Sequence, residues 1–318
     1  MGGGPGVLCQ VSIGDCTASP VGVVTGATTG KGGIVVLFTI GGNMRFCRLA
    51  ISIGLIALLA AILLLGDRRM PTGPDGGGAG QHAAHDRPDT IHVATFNIHG
   101  CKGTDGIRDP VRIAELIEGL DLVGVNEVHG AVWDEPRNQA AHLAELAHFP
   151  PEDCLFAPAE TRWFGAKRFG NGLLTRQPLL SWQRIPLPRR YDHSCRNMLV
   201  ARIAAPQETV QVLVSHITRS SDREREIQLN AVLDLFASLA VPAILLADLN
   251  TPPGDPRMNR FLAETDAVDA IAAGGVSGSE RVDWILVRGL QCLDARRIDT
   301  VASDHPLFVA ELTVPSAP

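Results

Sequence analysis

Several apolar runs of strand length in this chain each hand over abruptly to a residue that can carry chemistry. Residues 91–96 lead into Asn97, 122–125 into Asn126 and Glu127, 210–215 into His216, and 241–247 into Asp248 and Asn250. Asp283 lies within the run 281–287, and Ser303-Asp304-His305-Pro306 immediately precedes the run 307–312. Runs this short and this apolar are strands covered on both faces. The chain must therefore build sheets with a layer on each side. It must also bring carboxylates, amides and histidines to the strand ends, where side chains leave the packed interior.

The segments between these runs supply the covering layers. Asp109-Pro110 is a helix start, with Val111, Ile113, Ala114 and Ile117 at helical spacing behind it. Residues 135–147, 222–239 and 258–270 read as further helices. Residues 155–187 read as several strands, and 198–203 pairs with 210–215 as a hairpin. Strands outnumber helices, and no internal repeat is visible. The layer solution is an α/β four-layer sandwich, with two packed, mostly antiparallel β-sheets flanked by helices.

Ahead of this domain, residues 49–66 form an 18-residue stretch without a charge, between Arg45 and Arg48 on one side and Asp67, Arg68 and Arg69 on the other. At about 1.5 Å per residue such a helix matches a bilayer core. The expectation is an N-terminal transmembrane helix or signal-anchor, with the basic pair on the cytoplasmic side and the catalytic domain extracytoplasmic. Residues 1–48 are a low-complexity segment, and Met44 is a candidate true start. Within that segment Gly26 to Lys31 approaches a phosphate-binding loop. It fails because the glycine spacing is one residue short and Gly32 stands where Ser or Thr must hold magnesium. Residues 67–89 read as a flexible linker and 90–314 as the folded domain. Cys101, Cys154, Cys195 and Cys292 show no CxxC spacing, which argues against a zinc site; outside the cytoplasm they allow one or two disulfides.

Charge bears on partners. The chain carries a net −6, and residues 85–318 hold 23 basic and 31 acidic side chains, a net of −8. That balance disfavours sequence-blind binding of long duplex nucleic acid. The counterweight is a run of basic residues, Arg162, Lys167, Arg168, Arg176, Arg184, Arg189, Arg190 and Arg196.

The strand-tip residues define a chemistry together. Glu127, Asp248 and Asp304 are carboxylates, and Asn97 and Asn250 offer neutral oxygens. Hard oxygen ligands with few histidines favour Mg2+ or Mn2+ over zinc, and such an ion suits cleavage of a phosphate ester. His305 is placed to accept or relay a proton, with Asp283 fixing its ring, and His216 to donate a hydrogen bond to the phosphate. Any one of these residues alone reads more simply as a turn former or cap. Jointly they do not, because each would have to end an apolar strand for an unrelated reason. Gly275-Val276-Ser277-Gly278-Ser279 approaches a nucleophile elbow but lacks the final glycine and a preceding strand, which excludes a serine hydrolase.

Seven motifs in order resemble the endonuclease/exonuclease/phosphatase superfamily, the deoxyribonuclease I-like fold, over about residues 90–314. They are Thr95-Phe96-Asn97-Ile98-His99-Gly100, Val125-Asn126-Glu127-Val128, Phe169-Gly170-Asn171-Gly172-Leu173-Leu174-Thr175-Arg176, Val214-Ser215-His216-Ile217-Thr218, Leu246-Ala247-Asp248-Leu249-Asn250, Arg281-Val282-Asp283-Trp284-Ile285 and Ser303-Asp304-His305-Pro306. The resemblance implies Glu127 as principal metal ligand with Asn97 and Asp304 close by. It implies Asp248 and Asn250 orienting the attacking water, His216 on the scissile phosphate, and Asp283 with His305 as an acid–histidine pair. Asn126 departs from the family's more usual Gln, and His99 stands where the abasic-site nucleases carry an Asp. The expected function is a divalent-metal-dependent phosphoester hydrolase, a phosphodiesterase or phosphatase, acting on a phospholipid head group or other small phosphoester. An extracytoplasmic nuclease and a non-catalytic binding module on the same fold are the alternatives.

Overall fold

The computed structural model describes residues 44–66, 76–78, 90–131, 137–162, 167–191, 194–205 and 208–313. In chain order the elements are α1 (Met44–Gly66), β1 (Gly76–Gly78), β2 (Thr90–Asn97), α2 (Pro110–Ile117), β3 (Leu122–His129), α3 (Gln139–Leu146), β4 (Leu155–Arg162), β5 (Lys167–Thr175), β6 (Leu179–Pro186), β7 (Asn197–Ala204), β8 (Thr209–His216), α4 (Asp222–Ser238), β9 (Ala243–Asp248), α5 (Pro256–Glu264), β10 (Val268–Asp269), α6 (Ala270–Ala273), β11 (Asp283–Arg288), β12 (Gln291–Ile298) and β13 (Leu307–Thr313).

The strands form two sheets, one in the order β12-β13-β2-β3-β5-β4 and the other β1-β6-β7-β8-β9-β11-β10. The described strand pairs are antiparallel except β2–β3 and β8–β9, which are parallel and joined through α2 and α4. Alternation along each strand feeds two cores. Val93, Leu122, Val212, Leu246 and Ile285 belong to the core between the sheets. Phe96 and Val123 pack with Ile113, Ile117 and Leu143 of α2 and α3, and Leu213, Leu245 and Trp284 pack with Leu229, Phe236 and Met258 of α4 and α5. Each fully buried Phe or Leu contributes about 1.5–3 kcal/mol. This is the expected four-layer sandwich.

One close approach ties the layers to the site. A Cβ built on Gly124 would stand 2.6 Å from Leu246 Cβ in the opposite sheet, so only glycine fits. Two residues on, the side chain of Asn126 reaches across to that sheet.

The structure corrects several expectations. A helix forms over Met44–Gly66, but its side chains are described only at residue 48 and over 51–61. Among the described residues no helix is long and apolar enough to cross a membrane, and this overturns the membrane-anchored, extracytoplasmic placement. Part of the linker is ordered, since Gly76–Gly78 pairs with Ser181, Trp182 and Gln183 on the edge of β6. The four domain cysteines are free thiols rather than disulfides, and burial pushes the Cys154 thiol up to about 12. Strand β3 does not end at Val125 but continues through a bulge to His129. The predicted helix 135–147 begins only at Gln139, because Asn138 caps it by accepting the Ala141 N–H. The predicted helix 258–270 stops at Glu264, where the chain turns to pair Val268 and Asp269 with β11. The phosphate-loop-like segment Gly26 to Lys31 lies outside the described residues, as does all of the low-complexity stretch before Met44.

Candidate active site

The two parallel strand pairs end side by side, and their register sets the site. Asn97 is opposite Asn126, His216 opposite Asp248, and Asp248 opposite Asp283. Three neighbouring strands of the seven-stranded sheet thus present His216, Asp248 and Asp283 in a row, each almost fully buried.

Asp248 is the hub. Its Oδ2 accepts from Asn97 Nδ2 at 3.0 Å and faces His216 Nε2 at 3.4 Å and His305 Nε2 at 3.8 Å. Its Oδ1 accepts the Asn250 N–H at 2.9 Å. Asn250 is held by its own amide, which donates to the Ile217 carbonyl at 2.9 Å, in a left-handed conformation with φ 44°. It therefore acts on Asp248, and its amide N–H2 is committed to backbone. His305 comes from the turn before β13 and places Nδ1 2.8 Å from Asp283 Oδ2. The expected acid–histidine pair is formed, across the two sheets.

The electrostatics assign protonation. Burial pulls His305 down, but the Asp283 hydrogen bond and the charges of Asp283 and Asp248 outweigh it and push the imidazole up to about 9. That shift keeps His305 an imidazolium at neutral pH, set between the carboxylates of Asp283 and Asp248. Burial, with the charge of Asp283, raises Asp248 to about 6 against the opposing pull of His305 and the Asn97 bond. Burial likewise raises Asp283. Burial holds His216 well below the usual histidine range, with Arg196 and His305 adding to the effect. The 3.4 Å approach of His216 to Asp248 is thus a contact of a neutral ring, not an ion pair.

The expected ligand residues gather on the six-stranded sheet. Asn97 and Glu127 end β2 and lie on β3. Asp304 is on the turn tied to β2, where Ser303 Oγ donates to the Asn97 carbonyl at 2.6 Å. The Asp304 side chain is 52% exposed; its Oδ1 accepts from Ser303 Oγ at 3.5 Å and lies 3.6 Å from His99 Nδ1. Glu127 is half-buried with φ 58°, at the bulge of β3, and its carboxylate makes no hydrogen bond or ion pair to a described residue. Non-glycine residues with positive φ are uncommon and collect at functional sites; His99, Glu127 and Asn250 are three of the five among the described residues. Glu127, Asp304 and the Asn97 Oδ1, which also accepts the His99 N–H at 3.1 Å, offer oxygen donors alone, a donor chemistry that fits Mg2+ or Mn2+. A tighter group exists, because ligand atoms of Asp248, Asp283 and His305 lie within 4.8 Å of one another. A protonated imidazole has no lone pair to give, so that group is better read as a self-neutralising charge network.

Other residues of the site had been given no role by the sequence. Asn126 Nδ2 donates to Asn171 Oδ1 at 2.9 Å and to the Ser215 carbonyl at 3.1 Å, while its Oδ1 accepts the Asp248 N–H at 3.2 Å. Asn171 donates to Asn197 Oδ1 at 2.8 Å. This buried amide chain joins the sheets at the base of Asp248; its sequence signals were Asn126 at the end of an apolar run and Asn171 between Gly170 and Gly172. Arg281 is buried over Trp284, donates to the Asp283 carbonyl at 2.9 Å and pairs with Asp269, which anchors the start of β11. Near the tip of β2, residues 99–101 form a left-handed turn. A Cβ on Gly100 would meet His129 Cε1 at 2.8 Å, and the Gly100 carbonyl accepts from Gln139 at 2.9 Å and from Arg108. Two members of the basic run serve the fold. Arg176 is spent on the carbonyls of Leu120, Ala147 and His148, and Arg184 is buried and donates to Pro158.

Comparison with known proteins agrees with this architecture. A protein from Beutenbergia cavernae DSM 12333, described as an endonuclease/exonuclease/phosphatase, is 26% identical with TM-score 0.61 over 72% of each chain. A mannosyl-6-phosphatase from Bacteroides thetaiotaomicron VPI-5482 is 14% identical with TM-score 0.53, over 70% of this chain and 99% of that one. The human Nocturnin catalytic domain with bound sulfate is 17% identical with TM-score 0.56, over 71% and 94%. The last two speak to the fold alone. No curated protein sequence matches the chain. Residues 94–305 match the family model described as Endonuclease/Exonuclease/phosphatase family. The chain belongs to the endonuclease/exonuclease/phosphatase family.

Proposed function

We propose that the domain is a divalent-metal-dependent phosphoester hydrolase acting on a small phosphoester by attack of water on phosphorus. The observation that carries this reading is the division of labour at Asp248. One carboxylate, raised to about 6, is oriented by Asn97 and Asn250 beside a protonated His305 and a neutral His216. Groups whose proton affinities are pushed apart are the mark of acid–base assignment.

In this reading Asn97, Glu127 and Asp304 hold Mg2+ or Mn2+, which would neutralise phosphate oxygens. Asp248 orients the water and takes its proton as the oxygen–phosphorus bond forms. His216 donates from Nε2 to a phosphoryl oxygen. His305, steadied by Asp283, gives its proton to the leaving oxygen as the ester bond breaks. Asn250 acts by holding Asp248.

The phospholipid version of the substrate loses its main support with the membrane anchor. The nuclease alternative loses Arg176 and Arg184, which serve the fold. A binding module would be free to lose one of these site residues, and all of them are present.

The test is a panel of lipid, sugar, nucleotide and plasmid phosphoesters, assayed on the full chain with and without manganese. Turnover of a small ester that EDTA abolishes is expected. Turnover indifferent to EDTA, or none on any ester, overturns the proposal.

A further inference from the structure

His216 is 3% exposed, so bulk water does not choose which ring nitrogen carries its proton. Its neighbours do. Arg196 NH1 lies 3.5 Å from Nδ1, and Asp248 Oδ2 lies 3.4 Å from Nε2. A guanidinium can only donate, and an ionised carboxylate can only accept. Both contacts are attractive together in one neutral tautomer, with Nδ1 bare and the proton on Nε2. The other tautomer sets N–H against N–H on one side and lone pair against carboxylate on the other.

Arg196 is built into this place. Its guanidinium stands 5.3 Å from the Phe169 ring centroid, and that ring is 6.5 Å from the His216 ring at 55°. Phe169 therefore sits beside both partners. The Arg196 carbonyl accepts the Leu187 N–H at 2.9 Å, which registers the residue immediately before β7. The next residue, Asn197, belongs to the amide chain beneath Asp248.

We infer that Arg196 is a positioning residue that locks His216 in the Nε2–H tautomer, so that β8 presents a hydrogen-bond donor beside Asp248. The rate arm of its test rests on the hydrolase reading above; the spectroscopic arm does not.

The experiment is long-range 1H–15N correlation of histidine-labelled full chain at neutral pH in EDTA, with His216 assigned from the His216→Gln spectrum. Wild type is expected to show Nε2 protonated. Arg196→Met, which keeps an aliphatic stem over Phe169, is expected to move His216 to the Nδ1–H form or a mixture. In the metal-supplemented assay it should lower kcat by about tenfold or more with KM little changed, because a mis-set tautomer removes a hydrogen bond made in the transition state. Arg196→Lys, also donor-only, should keep the Nε2–H signature and recover part of the rate. A wild-type His216 protonated on Nδ1 overturns the inference, whether or not either variant folds. So does an unchanged Nε2–H signature in Arg196→Met, whatever its rate. If wild type turns over no ester, the hydrolase reading fails and the spectra alone decide this one.

Discussion

The strand tips of the two sheets meet in opposite electrostatic states. On the seven-stranded sheet, His216, Asp248 and Asp283 are buried, and each is answered by a neighbour: Arg196, Asn97, Asn250 or His305. On the six-stranded sheet, Glu127 has no described partner and Asp304 is half exposed. A buried charge must find its counter-charge inside the protein. An open carboxylate can wait for an ion from solvent. One tip is thus a proton network paired within the protein, with Asp283 Oδ1 its one oxygen lacking a hydrogen bond to a described residue, and the other has the character of a receptor for a cation. His305 belongs to the second by sequence and to the first by contact.

Predictions follow the depth of that contrast. Glu127→Ala and His305→Ala should each lower turnover by about 10³-fold or more, measured as kcat/KM on the preferred ester. Their stabilities should differ. His305→Ala leaves Asp283 as a buried unpaired acid and should cost about 3–5 kcal/mol in urea unfolding. Glu127→Gly relieves a left-handed backbone and should leave Tm unchanged or higher. Equal destabilisation of the two would erase the distinction drawn here.

Metal should read out on one tip only. Added Mn2+ is expected to raise the wild-type Tm by mass action and to leave the Tm of Glu127→Ala where it was. A matching rise in that variant would move the ion to another place.

Gly124→Ala tests whether close approach of the sheets supports the network. A methyl group there meets Leu246 and should cost about 1–3 kcal/mol. It should also loosen the reach of Asn126 to Asp248, seen as a lower kcat at unchanged metal affinity.

The His305–Asp283 pair should also read out with pH. His305 in the folded chain holds its proton up to about 9, above its ordinary 6.5. The folded state therefore binds more protons between those values. The stabilisation from the His305–Asp283 pair is complete below about 6.5 and lost as pH rises through about 9. NMR titration of His305 in the metal-free protein should show the high midpoint, and Asp283→Asn should lower it.

Much of this was legible before folding. Asn97, Asp248 and His216 announce themselves by ending apolar runs, and the Asp283–His305 pair forms as expected. Other features were hidden for physical reasons. Strand β12, with sequence QCLDARRI, is largely exposed and breaks alternation with two adjacent arginines, so no apolar period marks it. Glu127 reads as a strand end because nothing in its neighbours signals a bulge. Arg176 and Arg184 read as surface charge, because their carbonyl partners are far along the chain. The apolar stretch near the N-terminus shows the opposite error: local hydropathy suggested a membrane span that the described helix does not provide.

By itself the sequence determined the apolar strands, their polar tips and the oxygen-rich character of the site. Those are properties of a few consecutive residues, set by periodicity of two and by side-chain chemistry. The tertiary structure alone decided which tips face each other and which groups are charged. Asn97 meets Asp248 across 151 residues, and Asn126 meets the Asp248 backbone across 122. A pKa depends on burial and on charges a few ångströms away in space, and neither is written in the order of the chain.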